Sequence, residues 1–413
     1  MRNLKWLLIV IGFVSLATWS GIRGSFAVFY RILSEELHWP ARAAAAGQSL
    51  GLVTYAFLAP LIGWIIGRLG GMLVMVSGLV VLSAGLALCS FIRSPWEFSV
   101  FYGVLVGAGL MVISPVAYNI VVAQTFREHP GLAIGVTTSG MGLGMITVVP
   151  AVQWVSMLYG FRVAFLGLAA FILLCLLPTS VIVLRATFVG GKANKADSSG
   201  GTMVHSSGMS HKRLSLVQLM RTRRLWNALL VPAAVFFAIQ FMLAYSLVVM
   251  VGSGVDPLKG AFLVGLSGLV AAAFRIPAGW CVDHFRKESI FTLGCGTLLL
   301  ALVSMLLLER GGLHVREINL LSWCFAVLAG IGWGTIGPAF ITTIAELFRK
   351  YNFGLFYGAA ESMVGIGGSF GVWIGGLISD LSGTYLWGIA AAIIAVVTAC
   401  ALMWIAAPRK GAI

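Results

Sequence analysis

Two charged residues stand inside apolar stretches that are long enough to cross a bilayer, and both could do chemistry there. Arg275 follows a long run of apolar and small residues, where an arginine at the centre of a bilayer costs ~2.5–3.5 kcal/mol. The guanidinium keeps its charge, and its planar fork matches a carboxylate through two parallel hydrogen bonds. We therefore expect Arg275 to bind an organic anion in a cavity. The alternative is a structural arginine that a carboxylate of the protein neutralises.

Glu361 is the acidic residue that lies deepest within an apolar stretch, in the sequence GLFYGAAESMVGIGG. A carboxylate that is buried away from water can take up a proton near neutral pH. This property makes Glu361 the candidate proton-coupling residue. Two alternatives involve no proton transfer: a permanent salt bridge with Arg275, or a neutral acid that is held by hydrogen bonds.

Other polar residues at membrane depth are candidates for ligand binding. Arg23 could be a second anion-binding group, or it could lie along the apolar wall with its charged end among the lipid headgroups. Tyr118 and Asn119 follow Pro115 and could line a cavity, although such side chains also join helices to one another. Weaker candidates of the same kind are Gln48, Tyr55, Gln240, Tyr245, Thr335 and Thr342.

Metal and nucleotide chemistry find no support in the sequence. The six histidines fall in or near predicted loops without an HExxH pattern, and the six cysteines show no CxxC spacing. The glycine-rich stretch GMGLG from Gly140 lacks the GKS or GKT of a phosphate-binding loop, and we interpret it as a close helix contact. We expect no cofactor and no metal.

The composition identifies the elements that must position these residues. Hydrophobic residues make up 60% of the 413 residues and charged residues 10%, against about 25% charged in soluble proteins. A soluble enzyme is therefore excluded, and long continuous apolar runs favour membrane helices over a β-barrel. The predicted spans are 7–33, 43–67, 72–92, 97–123, 131–156, 162–184, 226–252, 258–282, 289–308, 320–346, 354–379 and 384–407.

Charge and linker composition predict the topology. Most of the 27 Lys and Arg residues lie on one side of the predicted spans, which places both termini in the cytoplasm. The net charge of +14 follows from these loops and does not indicate nucleic acid. A Gly-, Ser- and Lys-rich segment predicts a cytoplasmic linker at 185–225. The linker separates two six-helix units, 1–184 and 226–413.

The two units repeat one another in sequence. VLVGAGLMVISP from Val104 matches VLAGIGWGTIGP from Val327, and SGMGLG from Ser139 matches SMVGIGG from Ser362. These matches place Gly144 opposite Gly367 in the two halves. A duplicated six-helix unit with parallel halves is typical of secondary transporters.

Two loops resemble the conserved loop of the major facilitator superfamily. The segment after the second span reads GWIIGRLGG from Gly63 and contains Arg68, with Gly67 where the superfamily normally has an acid. The segment after the eighth span reads GWCVDHFRK from Gly279 and keeps Asp283. The resemblance implies that these loops take part in conformational change.

Further motifs are similar to monocarboxylate transporters and the oxalate/formate antiporter group. They are SFAVFY from Ser25, FREHPGLAIGVTTSGMGLG from Phe126 and AAFRIPAGWCVDHF from Ala272. Two positions depart from the animal transporters: Ala271 replaces an acid four residues before the eighth-helix arginine, and Gly24 replaces a lysine. These departures leave the location of the proton-carrying groups open.

The resemblance implies an all-α membrane protein whose twelve transmembrane helices form two six-helix bundles around a central cavity. It also implies that Arg275 and the Tyr118–Asn119 pair face the substrate. The expected function is secondary active transport of a lactate- or pyruvate-like monocarboxylate with a proton across the cell membrane, by alternating access. An organic anion exchanger or an exporter of drugs or metabolites is the alternative. A membrane-embedded enzyme or receptor fits less well.

Overall fold

A computed structural model describes residues 2–69, 71–115, 118, 130–182, 223–347 and 353–406. Within these residues the chain forms helices and no strand. The helices are α1 Arg2–Glu35, α2 Ala41–Leu69, α3 Gly71–Cys89, α4 Pro95–Val112, α5 Pro130–Tyr159, α6 Phe161–Ile182, α7 Arg223–Gly252, α8 Pro257–His284, α9 Lys287–Arg310, α10 Val315–Leu347, α11 Phe353–Ser382 and α12 Leu386–Ala406.

The helices match the predicted spans one for one. Among the described residues, ten helices contain a stretch that is long and apolar enough to cross a membrane, and α3 adds a shorter apolar run. The prediction of an all-helical membrane protein is therefore confirmed. The end of the fourth predicted span passes beyond α4, and the predicted linker 185–225 falls almost entirely outside the described residues.

A proline shapes the end of α4. The helix stops at Val112, and a turn over Ile113 and Ser114 precedes Pro115. Proline has no N–H to donate and disfavours a helical conformation in the residue before it. Beyond the proline, the Tyr118 N–H donates to the Ser114 carbonyl at 3.2 Å.

Equivalent glycines pack equivalent helices in the two halves. A Cβ atom on Gly144 of α5 would collide with the Ala17 carbonyl of α1. In the second half, a Cβ on Gly367 of α11 would collide with the Ala233 carbonyl of α7. The repeated glycines therefore allow the same close helix contact twice. This finding confirms the interpretation of the glycine-rich stretch as a packing surface.

The halves meet along two seams, α2 with α11 and α5 with α8. We use the term "α1–α2 face" for the side of the molecule where α1 ends and α2 begins. At that face, Gly376 of α11 packs closely against Ala41 of α2. In the other seam, Gly265 of α8 packs against the Met145 carbonyl of α5. The two seams therefore close the α1–α2 face.

The α5–α8 seam is described over part of the length of α8. The α8 segment Gly260–Gly268 is largely buried against its neighbours. Past Ala272, which lies against Gly142, the α8 residues Phe274, Ile276 and Trp280 are exposed. Among the described residues, contacts between α8 and α5 thus run from Gly265 to Ala272 and Arg275.

Candidate functional site

Glu361 lies in the seam between α2 and α11. Its Oε2 atom accepts a hydrogen bond from the Tyr55 hydroxyl at 3.1 Å. The neighbouring Ser362 donates to the Ala56 carbonyl of α2 at 3.0 Å. Close approach is possible here because Gly365, one turn along α11, sits against the Leu52 carbonyl and Ala56. A carboxylate of the second half is therefore joined directly to a tyrosine of the first half.

Arg23 lies on the other side of Tyr55. Its guanidinium carbon is 4.8 Å from the ring centroid of Trp19, one turn earlier on α1, and 5.8 Å from that of Tyr55. Both distances fall within the range of cation–π attraction. The charge of Glu361 also acts on this guanidinium. Arg23 thus faces the protein interior, and the structure does not place it among lipid headgroups.

A small cavity adjoins Arg23 within the first half. Its volume is about 20 Å³, enough for about one water molecule. It lies between α1, α2 and α4, where the Tyr102 hydroxyl reaches the Ile22 carbonyl at 3.5 Å. The lining residues are Arg23, Gln48, Gly51, Leu52, Tyr55, Tyr102, Gly107 and Leu110. The cavity can hydrate the guanidinium in the state described here, but it is too small for a lactate molecule.

Arg275 lies in the other seam, between α8 and α5. Its Nη1 atom is 3.5 Å from the Met141 sulfur, and its guanidinium carbon is 5.7 Å from the ring centroid of Trp333 on α10. The Met141 carbonyl accepts a hydrogen bond from Ser20 of α1 at 2.6 Å. Met141 therefore contacts both Arg275 and Ser20, and Ser20 lies one turn from Arg23 on α1. The two arginines thus lie at a similar depth in the protein.

Of the other two residues predicted to bind substrate, the structure describes Tyr118 but not Asn119. Tyr118 is fully buried and donates to the Ser15 hydroxyl at 2.7 Å, so it joins its segment to α1. Asn119 lies outside the described residues. A role in substrate binding remains a prediction for both.

The loop motif is only partly described. Gly63 and Arg68 fall in the last turns of α2, and Gly279 and Asp283 fall in the last turns of α8. Gly279 has open space where a Cβ atom would stand. The side chains of Arg68 and Asp283 lie outside the described part of the structure, and the proposed role of the loops remains a prediction.

A set of contacts at the α1–α2 face was not predicted from the sequence. Asp380, near the end of α11, accepts hydrogen bonds from the backbone N–H groups of Ala41 (2.6 Å) and Arg42 (3.0 Å). A signal was present in the sequence: α2 begins after Trp39–Pro40, without a Ser, Thr, Asp or Asn to cap it. Its first N–H groups therefore needed an acceptor from elsewhere.

Tyrosines add to the contact at this face. The hydroxyls of Tyr30 on α1 and Tyr385 near the start of α12 are 2.8 Å apart. The ring of Tyr245 on α7 meets Tyr30 edge to face, with centroids 4.9 Å apart. Glu309 fixes the start of α12 by accepting from the Tyr385 N–H and the Thr384 hydroxyl. Four helices from the two halves thus converge at the α1–α2 face.

Comparison with known proteins identifies the family. The family model described as Major Facilitator Superfamily matches residues 8–371. The chain belongs to the major facilitator superfamily. The superfamily consists of transporters rather than enzymes.

Superfamily members with similar sequences include three curated relatives. The chain is 22% identical over 407 residues to the uncharacterized MFS-type transporter YcxA of Bacillus subtilis, covering 95% of this chain and 92% of the relative. It is 22% identical to monocarboxylate transporter 13 of Rattus norvegicus (92% and 83% covered). It is 24% identical to the oxalate:formate antiporter of Oxalobacter formigenes (98% and 92% covered).

A solved structure shares the superfamily fold. The crystal structure of a mutant of the nucleoside transporter NupG aligns with a TM-score of 0.70 at 14% identity. The alignment covers 98% of this chain and 99% of NupG. At this identity the likeness establishes the fold alone.

Proposed function

We propose that this protein is a secondary active transporter that moves a small monocarboxylate of the lactate or pyruvate kind together with a proton. The observation that carries the proposal is the layer where the halves meet, which holds two arginines and a carboxylate. Arg23, Arg275 and Glu361 all lie at or beside the seams between halves. Relatives that are named as monocarboxylate transporters and as an oxalate:formate antiporter support an organic anion as substrate.

Charge explains the choice of ligand. Burying a guanidinium at membrane depth costs free energy, and the group does not lose its charge by deprotonation. A carboxylate ligand offsets this cost and is held by paired hydrogen bonds. In the state described here the site would communicate with the face opposite the α1–α2 face. Rocking of the halves would then break the contacts at the α1–α2 face and open it.

We also propose an orientation of the protein in the membrane. With both termini and the linker 185–225 in the cytoplasm, the α1–α2 face is extracellular and is closed in the state described here. Impermeant reagents applied to intact cells should therefore leave a cysteine in the linker unlabelled. Labelling of that cysteine from outside would reverse the orientation.

Transport in proteoliposomes tests the function. Labelled lactate should accumulate above equilibrium when the exterior is acidified, and pyruvate should compete with it. Uptake that depends on a trans anion and ignores the pH gradient would instead establish an exchanger, which the similarity to the oxalate:formate antiporter favours as second candidate. Competition by amphipathic drugs, with no effect of small acids, would indicate an exporter.

A further inference from the structure

Tyr55 lies between two groups of opposite charge that belong to different halves. Its hydroxyl donates to Glu361 at 3.1 Å, and its ring centroid lies 5.8 Å from the Arg23 guanidinium carbon. We propose that Tyr55 is a positioning residue that links protonation of Glu361 to anion binding at Arg23. This inference rests on the proposed proton-coupled function. It identifies Arg23 as the cationic side chain whose affinity for the anion depends on the charge of Glu361.

The surroundings of Glu361 favour this assignment. Among the described residues, the charged and titratable neighbours on α1 and α2 include Arg23 and Tyr55, and the Tyr102 phenol of α4 also acts on the guanidinium. From α7, one of the further helices packed on α11, the uncharged Gln240 faces Gly368. The only titratable side chain of α12 is Cys400, which contacts Thr292 of α9. Arg275 lies in the other seam, against Met141.

Two charge states follow from this geometry. When Glu361 is ionised, its carboxylate accepts the Tyr55 O–H and offsets part of the Arg23 charge. When Glu361 takes up a proton, the offsetting charge disappears and the guanidinium attracts an anion more strongly. Proton and anion therefore favour each other's binding, and by linkage the effect is reciprocal. No bond other than that to the transferred proton is made or broken.

The position of the hydrogen bond gives the coupling a direction. Tyr55 belongs to α2 and Glu361 to α11, so the bond exists only while this seam is closed. A hydrogen bond to a carboxylate stabilises its ionised form. When the halves part and open the α1–α2 face, Glu361 loses the Tyr55 hydrogen bond and takes up a proton more readily from that side. When the seam closes, Tyr55 again favours ionisation and promotes proton release toward the opposite face.

The test is the pH profile of uptake in Tyr55→Phe, which removes the hydroxyl and keeps the ring beside Arg23. Without the donor, Glu361 should hold its proton up to a higher pH, and the pH midpoint of lactate uptake should rise by roughly one unit. Tyr159→Phe is the matched control, because Tyr159 is exposed at the end of α5. The control should retain the wild-type midpoint.

A double variant separates positioning from a structural role. Glu361→Gln mimics the protonated acid, so adding Tyr55→Phe to it should change lactate exchange by less than twofold. If Tyr55 only supports packing, the added substitution should reduce exchange equally in both backgrounds, and the inference fails. An unchanged pH midpoint in Tyr55→Phe also overturns it. If wild-type uptake ignores pH altogether, it is the proposed function that fails.

Discussion

Asp380 of α11 caps the first turn of α2, which belongs to the other half of the molecule. Its two carboxylate oxygens accept the Ala41 and Arg42 N–H groups, and its Oδ2 atom lies 3.6 Å from the Arg42 Nε. The Asp380 carboxylate thus satisfies N–H groups of the other half only when the halves are together, and water replaces it when they part. This contact stabilises closure of the α1–α2 face selectively, because it disappears when that face opens.

Removing the cap should favour the open α1–α2 face. Loss of an N-cap costs ~1 kcal/mol, which corresponds to about a fivefold change in population. We expect Asp380→Ala to increase by about fivefold the rate at which an impermeant maleimide labels a cysteine placed at Ala45, which lies beside Gly376. Asp380→Asn keeps an acceptor oxygen and should have a smaller effect.

The matched control for this prediction is Glu35→Gln. Glu35 is also a carboxylate paired with an arginine near this face, but its partner Arg31 lies one turn away on the same helix. Its loss should leave the labelling rate unchanged. Equal labelling of the Asp380→Ala and wild-type proteins would show that the cap does not influence closure.

A side chain at Gly265 should prevent closure of the other seam. A Cβ atom there would lie 2.6 Å from the Met145 carbonyl and 2.9 Å from the Ile146 Cα of α5. Overpacking of this kind costs ~1–3 kcal/mol, and backbone atoms cannot move aside as a side chain can. We expect Gly265→Ala to slow net transport at least fivefold and to increase labelling at the α1–α2 face.

Gly167→Ala provides the comparison for Gly265→Ala. Gly167 lies on α6 with open space where its Cβ atom would stand. Its substitution should leave both transport and labelling at wild-type values. Wild-type transport by Gly265→Ala would mean that the α5–α8 seam tolerates an extra methyl group and does not limit closure.

The sequence could predict the helices and the depth of the charged residues, because both follow from hydropathy along the chain. It could also predict the packing glycines, since Gly144 and Gly367 recur at equivalent positions. It could not predict the partners of Glu361. The alternative of a salt bridge between Glu361 and Arg275 relied on their sharing one half, whereas the structure joins Glu361 to Tyr55 of the other half. The direction in which the Glu361 side chain points from α11 depends on how α11 packs against distant segments, which hydropathy along the chain does not reveal.

Arg275 should not tolerate lysine if it binds the substrate carboxylate. Lysine keeps the charge but cannot form the two parallel hydrogen bonds of a guanidinium, and it cannot stack as a plane on Trp333. We expect Arg275→Lys to raise the Km for lactate at least tenfold, since a hydrogen bond to a charged group contributes about 1.5–3 kcal/mol. Arg275→Ala should lose measurable uptake.

Arg162→Lys controls for the loss of a guanidinium beside an aromatic ring. The Arg162 guanidinium carbon lies 5.8 Å from the Phe161 ring centroid at the start of α6, away from both seams. This variant should keep the wild-type Km. Unaltered affinity and rate in Arg275→Ala would remove Arg275 from the site and leave Arg23 as the candidate anion-binding residue.

Glu361→Gln should separate anion binding from proton coupling. The amide resembles the protonated acid in shape and charge, so Arg23 loses its neighbouring negative charge permanently and the anion still binds. Net uptake driven by a pH gradient needs a group that gains and loses a proton, and glutamine has none. We therefore expect lactate exchange within threefold of wild type and no accumulation above equilibrium when the exterior is acidified. Both are measured in the same proteoliposomes with labelled lactate.

Glu317→Gln is the matched control for the coupling experiment, because Glu317 is an exposed acid in the first turn of α10. It should accumulate lactate as the wild type does. If Glu361→Gln also accumulated lactate on a pH gradient, the proton would travel by another route, for instance on the substrate as the undissociated acid. The two routes differ in one further measurement. Carriage of the undissociated acid leaves the pH dependence of uptake unchanged in Glu361→Gln, whereas coupling through Glu361 makes the variant's exchange rate independent of pH.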